Sequence, residues 1–166
     1  MTELTNMKRR GFLNTAALGL AASQIGYAGG ALAATLSPAS VFPAIRQINA
    51  GLLDVGYVDM GPADGMPILL LHGWPYDIHA FVDVAPILVA AGYRVIIPHL
   101  RGYGSTRFLS PHTPRNGQQA TFTADAVAFM DALKIDQAIV AGFDWGARIA
   151  GTLAALWPQR LSLIHI

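Results

Sequence analysis

The stretch AGFDWGARIAG, residues 141–151, sets an aspartate between two glycines in Gly142-Phe143-Asp144-Trp145-Gly146, where an apolar run gives way to a helical one. Glycines two before and two after a residue let the chain turn sharply from strand to helix without a Cβ clash, which lifts the tip side chain clear of the sheet. A serine at such a tip needs a general base before it attacks anything. A carboxylate does not: with a reference pKa near ~3.9 it is ionised at neutral pH, and it can attack an electrophilic sp3 carbon directly to form an ester. Hydrolysing that ester is a second step, which needs a base to activate water and donors for the oxyanion that forms on the aspartyl carbonyl. The backbone N–H of Trp145, at the helix start, is the first donor expected. The N–H of Trp74, in the sequence HGWP (72–75) after an earlier apolar run, is the second. Both indole N–H groups are further donors for a leaving group or substrate oxygen. His72, Gly73, Pro75 and Phe143 are expected to line the substrate pocket around Asp144, the catalytic residue of this reading.

Plainer roles stand beside these. Asp144 could simply cap the helix that follows it, a favoured place for aspartate. His72, next to a strand end, reads as a structural loop residue rather than a base. His79, His99, His112 and His165 lack partners at ligand spacing, so no metal site is suggested. Gly102 and Gly104 flank Tyr103, but without the rest of a dinucleotide fingerprint they give no support for a cofactor. Arg148 reads as a brace for the helix or a loop, with a substrate carboxylate as the alternative contact.

The elements that must position these groups alternate regularly. Residues 52–61 read as one or two short strands closed by the turn Gly61-Pro62-Ala63-Asp64-Gly65. Ile68 to Leu71 is a continuous apolar run of the kind buried on both faces in a parallel sheet. Residues 77–91 have helical spacing and stop at Gly92, with Pro86 predicting a kink. A strand over 93–98, a polar Gly/Pro-rich loop over 99–120, a helix over 121–133, a strand over 137–142 and a helix over 146–157 complete the alternation. Strand–helix repetition predicts an α/β fold with a parallel sheet and crossover helices on both faces, and ligands in such sheets bind at the carboxyl ends of the strands. HGWP and GFDWG both fall there.

Composition narrows the remaining classes. The 166 residues are 53% hydrophobic and 13% charged, too apolar for disorder, and without cysteine there is no disulfide or thiolate chemistry. Beyond residue 34 there are 8 basic and 9 acidic residues, a balance with no footprint for nucleic acid or anionic lipid. The basic group Lys8-Arg9-Arg10, the uncharged stretch Gly11 to Ala34 and the small-residue exit Ala31-Leu32-Ala33 are the parts of a secretory signal peptide. Arg9-Arg10-Gly11-Phe12-Leu13 resembles the twin-arginine type, which implies the bacterial twin-arginine export machinery as a partner and a periplasmic or secreted product. An uncleaved membrane anchor is the alternative, disfavoured by the glycines, Asn14, Ser23 and Gln24 in the stretch. Residues 1–34 are therefore set apart as signal peptide, 35–50 as an irregular lead-in carrying Pro38 and Pro43, and 51–166 as the folded domain, with no stable membrane span after processing.

Taken together, HGWP at 72–75, LRGYGSTR at 100–107 and GFDWGAR at 142–148 resemble an α/β-hydrolase of the epoxide hydrolase and haloalkane dehalogenase branch. The resemblance covers residues from about 50 to 160. It implies Asp144 as nucleophile, Trp145 as the residue after it, His72-Gly73-Trp74-Pro75 as the oxyanion-hole loop, no cofactor, and a small apolar electrophile, an epoxide or alkyl halide, as substrate. Dehalogenases of this branch usually have Asn or Glu where Trp74 stands and epoxide hydrolases commonly an aromatic residue, which favours an epoxide. His99 departs from the family pattern, where Asp usually precedes L-R-G-Y-G. The family also needs an acid and a histidine after the nucleophile, and a cap domain with acidic tyrosines. Only LSLIHI follows Arg160, so the expectation is the front part of a longer enzyme, inactive in turnover as it stands and with an apolar sheet edge prone to aggregate. The other class is a non-catalytic hydrolase-fold binding protein that keeps the elbow as architecture.

Overall fold

The computed structural model of the chain describes residues 42–165; the signal-peptide reading of residues 1–34 lies outside them. Seven strands form one sheet: β1 (Arg46–Ala50), β2 (Leu53–Met60), β3 (Pro67–Leu71), β4 (Arg94–Pro98), β5 (Arg107–Phe108), β6 (Ala138–Gly142) and β7 (Leu161–His165). The order is β1-β2-β4-β3-β6-β7, with β5 paired to β2. β4, β3, β6 and β7 run parallel, and β2 joins β4 antiparallel. The sheet is thus mixed, parallel only where the site is built.

The apolar run in β3 has the two-faced burial its composition predicts. Leu69 and Leu71 pack with Ile96, Val140, Phe129, Ile149 and Leu153 under helices α2 (Gln119–Ala132) and α3 (Trp145–Leu156). Ile68 and Leu70 enter the opposite layer with Val95, Ile97, Ile78, Phe81 and Ala85, below α1 (Val84–Ala90). Period-two alternation sends successive side chains to opposite layers, so a strand covered on both faces must be apolar throughout.

Three expectations need correction. The lead-in is not irregular to residue 50: Arg46–Ala50 is β1, which folds back on β2 from Arg46↔Tyr57 to Ala50↔Leu53. RQINA escapes detection because it is a short, mostly exposed edge strand, and only Ile48 and Ala50 turn towards the core. The 77–91 segment is not one kinked helix. Ile78–Phe81 is a 3-10 turn, whose N-terminal Asp77 side chain accepts the His79 N–H at 2.9 Å, and α1 starts afresh at Val84. Pro86 lies in the first turn of α1, where a missing N–H loses no helical bond. The 99–120 loop carries β5, a two-residue strand bonded to β2. LSLIHI becomes β7, parallel to β6.

Arg101 ties this long loop down. Its guanidinium is buried and grips Asp125 of α2 in a bidentate pair at 2.7 and 2.8 Å, while Nη1 donates to the Asn116 carbonyl at 3.3 Å. A fork-shaped cation bonded along both oxygens fixes orientation as well as distance. The loop that follows β4 therefore has one defined path past the strand ends.

Candidate active site

Parallel pairing brings the two chemistry-bearing motifs side by side. Leu71 of β3 is in register with Gly142 of β6, so His72 and Phe143 leave the sheet together. Beyond them the chain reverses into α3 through Asp144, which adopts φ 50 and ψ −113. That conformation is costly for any residue with a Cβ and persists only where its surroundings impose it. The surroundings here are backbone. A Cβ on Gly146 would lie 1.9 Å from the Leu71 carbonyl oxygen, and one on Gly142 would lie 2.6 Å from the Gly146 carbonyl carbon.

The turn leaves the Asp144 side chain exposed at the carboxyl end of the sheet. It makes no capping bond to its own helix, so the plain N-cap role is not the one it fills. Instead, Oδ2 accepts the Trp74 backbone N–H at 2.9 Å across 70 residues of sequence. Gly73 allows the approach, since a Cβ there would be 2.5 Å from that of Asp144. The Trp74 amide, then the Trp145 amide, hold the carboxyl below its ordinary value of 3.8, with Arg148 adding positive field. Two backbone donors, a helix N-terminus and a nearby guanidinium all favour the anion.

Aromatic residues flank this carboxylate in sequence, and Trp74 and Tyr76 stand in the facing loop. Trp74 is 68% exposed, so its indole stands out from the loop while its amide turns inward. Phe143 is met edge-on by Tyr76 at 5.7 Å and lies 5.8 Å from Phe81. The Trp145 ring stacks on Phe122 of α2 at 5.3 Å, with the Arg148 guanidinium 5.5 Å from its centroid. Arg148 thus braces Trp145, as one of its two expected roles has it. Pro75 is exposed.

His72 differs from its expected place in the pocket lining. It is fully buried, with Nδ1 3.1 Å from the Gly73 carbonyl and Nε2 accepting the Leu100 N–H at 3.1 Å. Tyr103 meets the ring edge-on at 4.7 Å. Both nitrogens are engaged, so the ring supports the loop from beneath. Sequence reasoning missed Leu100, Tyr103 and Phe122 as parts of this assembly. LRGYGSTR marks the first two as a motif, but nothing in its spacing reveals a bond to a histidine 28 residues earlier.

His99, also buried, packs its ring beneath Gly104, where a Cβ would lie 2.2 Å from the imidazole. His72 and His99 are both held below their ordinary value of 6.5, in each case chiefly by burial. A histidine whose folded pKa is lowered binds more protons unfolded, so its stabilising contribution is complete above pH 6.5 and is lost as the pH falls from there through the folded-state pKa. The Asp144 carboxyl, lowered from 3.8, acts only further into acid. The urea midpoint of unfolding should therefore be level above about pH 7 and decline over the acid interval below about pH 6.5. An unchanged midpoint across that interval would contradict neutral burial of the two rings.

Among the described residues, no group of three histidines or carboxylates could hold a metal ion, and no helix is long and apolar enough to cross a membrane.

A family profile for the alpha/beta hydrolase fold matches residues 66–165, and the chain belongs to that family. Its relatives fall on two sides. It is 36% identical over 112 residues to a haloalkane dehalogenase of Psychrobacter cryohalolentis, covering 68% of this chain and 36% of the relative. It is 34% identical over 116 residues to epoxide hydrolase 3 of Siraitia grosvenorii, covering 70% and 35%. The crystal structure of a candidate epoxide hydrolase from Klebsiella pneumoniae superposes with a TM-score of 0.73 at 63% identity, over 74% of this chain and 41% of that one. The chain thus spans about a third of the length of the two sequence relatives.

Proposed function

We propose that this chain carries the nucleophilic half of an epoxide hydrolase-like enzyme, with Asp144 as the attacking group. The observation that carries the reading is the Asp144 carboxylate held at a strained turn with Oδ2 on the Trp74 amide. With Oδ2 anchored, Oδ1 is the oxygen that attacks. It bonds to an epoxide carbon, the carbon–oxygen bond of the ring breaks, and the ring oxygen takes a proton from an acid or water. The former Oδ2 becomes the ester carbonyl oxygen, already on the Trp74 amide, which with the Trp145 amide as second donor stabilises the oxyanion when water adds at Cγ. Collapse of that adduct returns the carboxylate and releases a diol.

The second step needs a base beside the ester. Among the described residues His72 does not supply it, because Nε2 is engaged by Leu100, and His99 is buried under Gly104. In this reading Asp144 accounts for the alkylation step, and neither of these two rings serves the hydrolytic one. The relatives named as epoxide hydrolases and the aromatic Trp74 support an epoxide; the Psychrobacter relative supports an alkyl halide as the second reading, with halide as leaving group. Residues 1–34 serve in this reading as a twin-arginine export signal, which N-terminal sequencing of the exported protein would check.

Intact-mass measurement separates the readings. Incubation with styrene oxide at neutral pH is expected to add one equivalent per chain, and incubation with 1-bromobutane to add little and release little bromide. The reverse pattern would transfer the assignment to the dehalogenase side, and no adduct from either would leave a binding protein with a hydrolase elbow.

A further inference from the structure

The histidine beneath the loop does more than fill space, because its bonds converge on the peptide unit that touches Asp144. The carbonyl of Gly73 and the N–H of Trp74 belong to one planar peptide group, and they point in opposite directions. Nδ1 of His72 lies 3.1 Å from that carbonyl, and the N–H on the other side reaches Asp144 Oδ2 at 2.9 Å. At the far side of the ring, Nε2 lies 3.1 Å from the Leu100 amide nitrogen.

Both partners of the imidazole are backbone groups, so their roles are fixed by chemistry. The Leu100 N–H can only donate, which makes Nε2 the acceptor; the Gly73 carbonyl can only accept, which places the proton on Nδ1. One tautomer satisfies both. The result is a single line of hydrogen bonds, Leu100 N–H to His72 to the Gly73–Trp74 peptide to Asp144, in which each bond polarises the next.

We propose that His72 is a positioning residue for the Asp144 site: its Nδ1–H aims and strengthens the Trp74 amide, and the Leu100 amide selects the tautomer that lets it do so. The 100–107 loop thereby acts on a carboxylate it does not hydrogen-bond. The other groups around the ring are the Tyr76 backbone, Asp77, His99 and Tyr103; the hydrogen bonds the ring makes are those to Gly73 and from Leu100.

The test uses two substitutions that divide the imidazole. His72→Asn keeps a donor near the Nδ1 position and loses the acceptor; His72→Gln keeps an acceptor near Nε2 and loses the donor. Carboxyl carbon NMR of Asp144 and 15N shifts of His72 are read on the whole chain, with near-UV circular dichroism as the check on folding. The proposal expects the Nδ1–H tautomer in the unsubstituted protein, an upward move of the Asp144 titration in His72→Gln, and little movement in His72→Asn. The Nε2–H tautomer in the unsubstituted chain would overturn it whether or not the variants fold. So would a folded His72→Gln chain with an unmoved Asp144 titration. A second arm rests on the nucleophile reading: the unsubstituted chain should gain one styrene oxide equivalent, read by intact mass, with the same measurement made on both variants. If the titration follows the donor but no variant, nor the parent, is alkylated, the positioning role stands and the nucleophile reading falls.

Discussion

Replacing Asp144 by Asn is expected to slow adduct formation with styrene oxide by about a thousandfold or more while leaving the fold intact, because the amide keeps the shape of the side chain and removes the anion. Asp144→Gly should be equally unreactive and yet more stable. At φ 50 and ψ −113 a residue without a Cβ relieves the strain that Asp144 bears. The gain should appear as a rise of roughly 5 °C in the melting temperature, measured by circular dichroism. An aspartate serving only as architecture would give the opposite: a less stable Gly variant, and an Asn variant that reacts as the parent does.

The second large effect concerns Gly146. In α3 the substitution Gly146→Ala puts a methyl group 1.9 Å from the Leu71 carbonyl oxygen, and neither the helix start nor the central strand can retreat without breaking the β3–β6 pairing. A loss above about 4 kcal/mol, a large share of a domain's stability, is expected. Gly151 is the control in the same helix. A Cβ there meets nothing within 4 Å, so Gly151→Ala should stabilise by about 0.5–1 kcal/mol through backbone entropy alone. Urea denaturation of the two variants beside the parent chain measures both. Equal behaviour of the pair would remove the tight-elbow account.

Much of this arrangement is legible in the residues themselves. The glycines around Asp144 and the apolar runs at 68–71 and 137–142 carry strong local signals, because steric need and burial on both faces each restrict residue type. The expected elbow helix, 146–157, lies one residue from the observed Trp145–Leu156, and the expected 121–133 helix begins two residues earlier as Gln119–Ala132. What stayed hidden depends on partners distant in sequence. β1 becomes a strand only because β2 offers it an edge, and Arg101 becomes an anchor only because α2 presents Asp125. His72 is the instructive case. Its position within HGWP suggests a place in the pocket, yet its two ring bonds are to backbone groups, which no side-chain pattern announces. Pro86 shows the converse: its spacing predicts a kink in one long helix, whereas it sits in the first turn of a new one.

The central claim is that the carboxylate at the elbow attacks carbon, and one tryptic peptide reports it. Cleavage after Lys134 and Arg148 releases residues 135–148, which contain Asp144 together with the exposed Asp136 as an internal reference. After brief exposure of the chain to styrene oxide, tandem mass spectrometry of this peptide should find the ester on Asp144 and none on Asp136. An adduct shared between the two, or spread over the other surface carboxylates, would contradict the account.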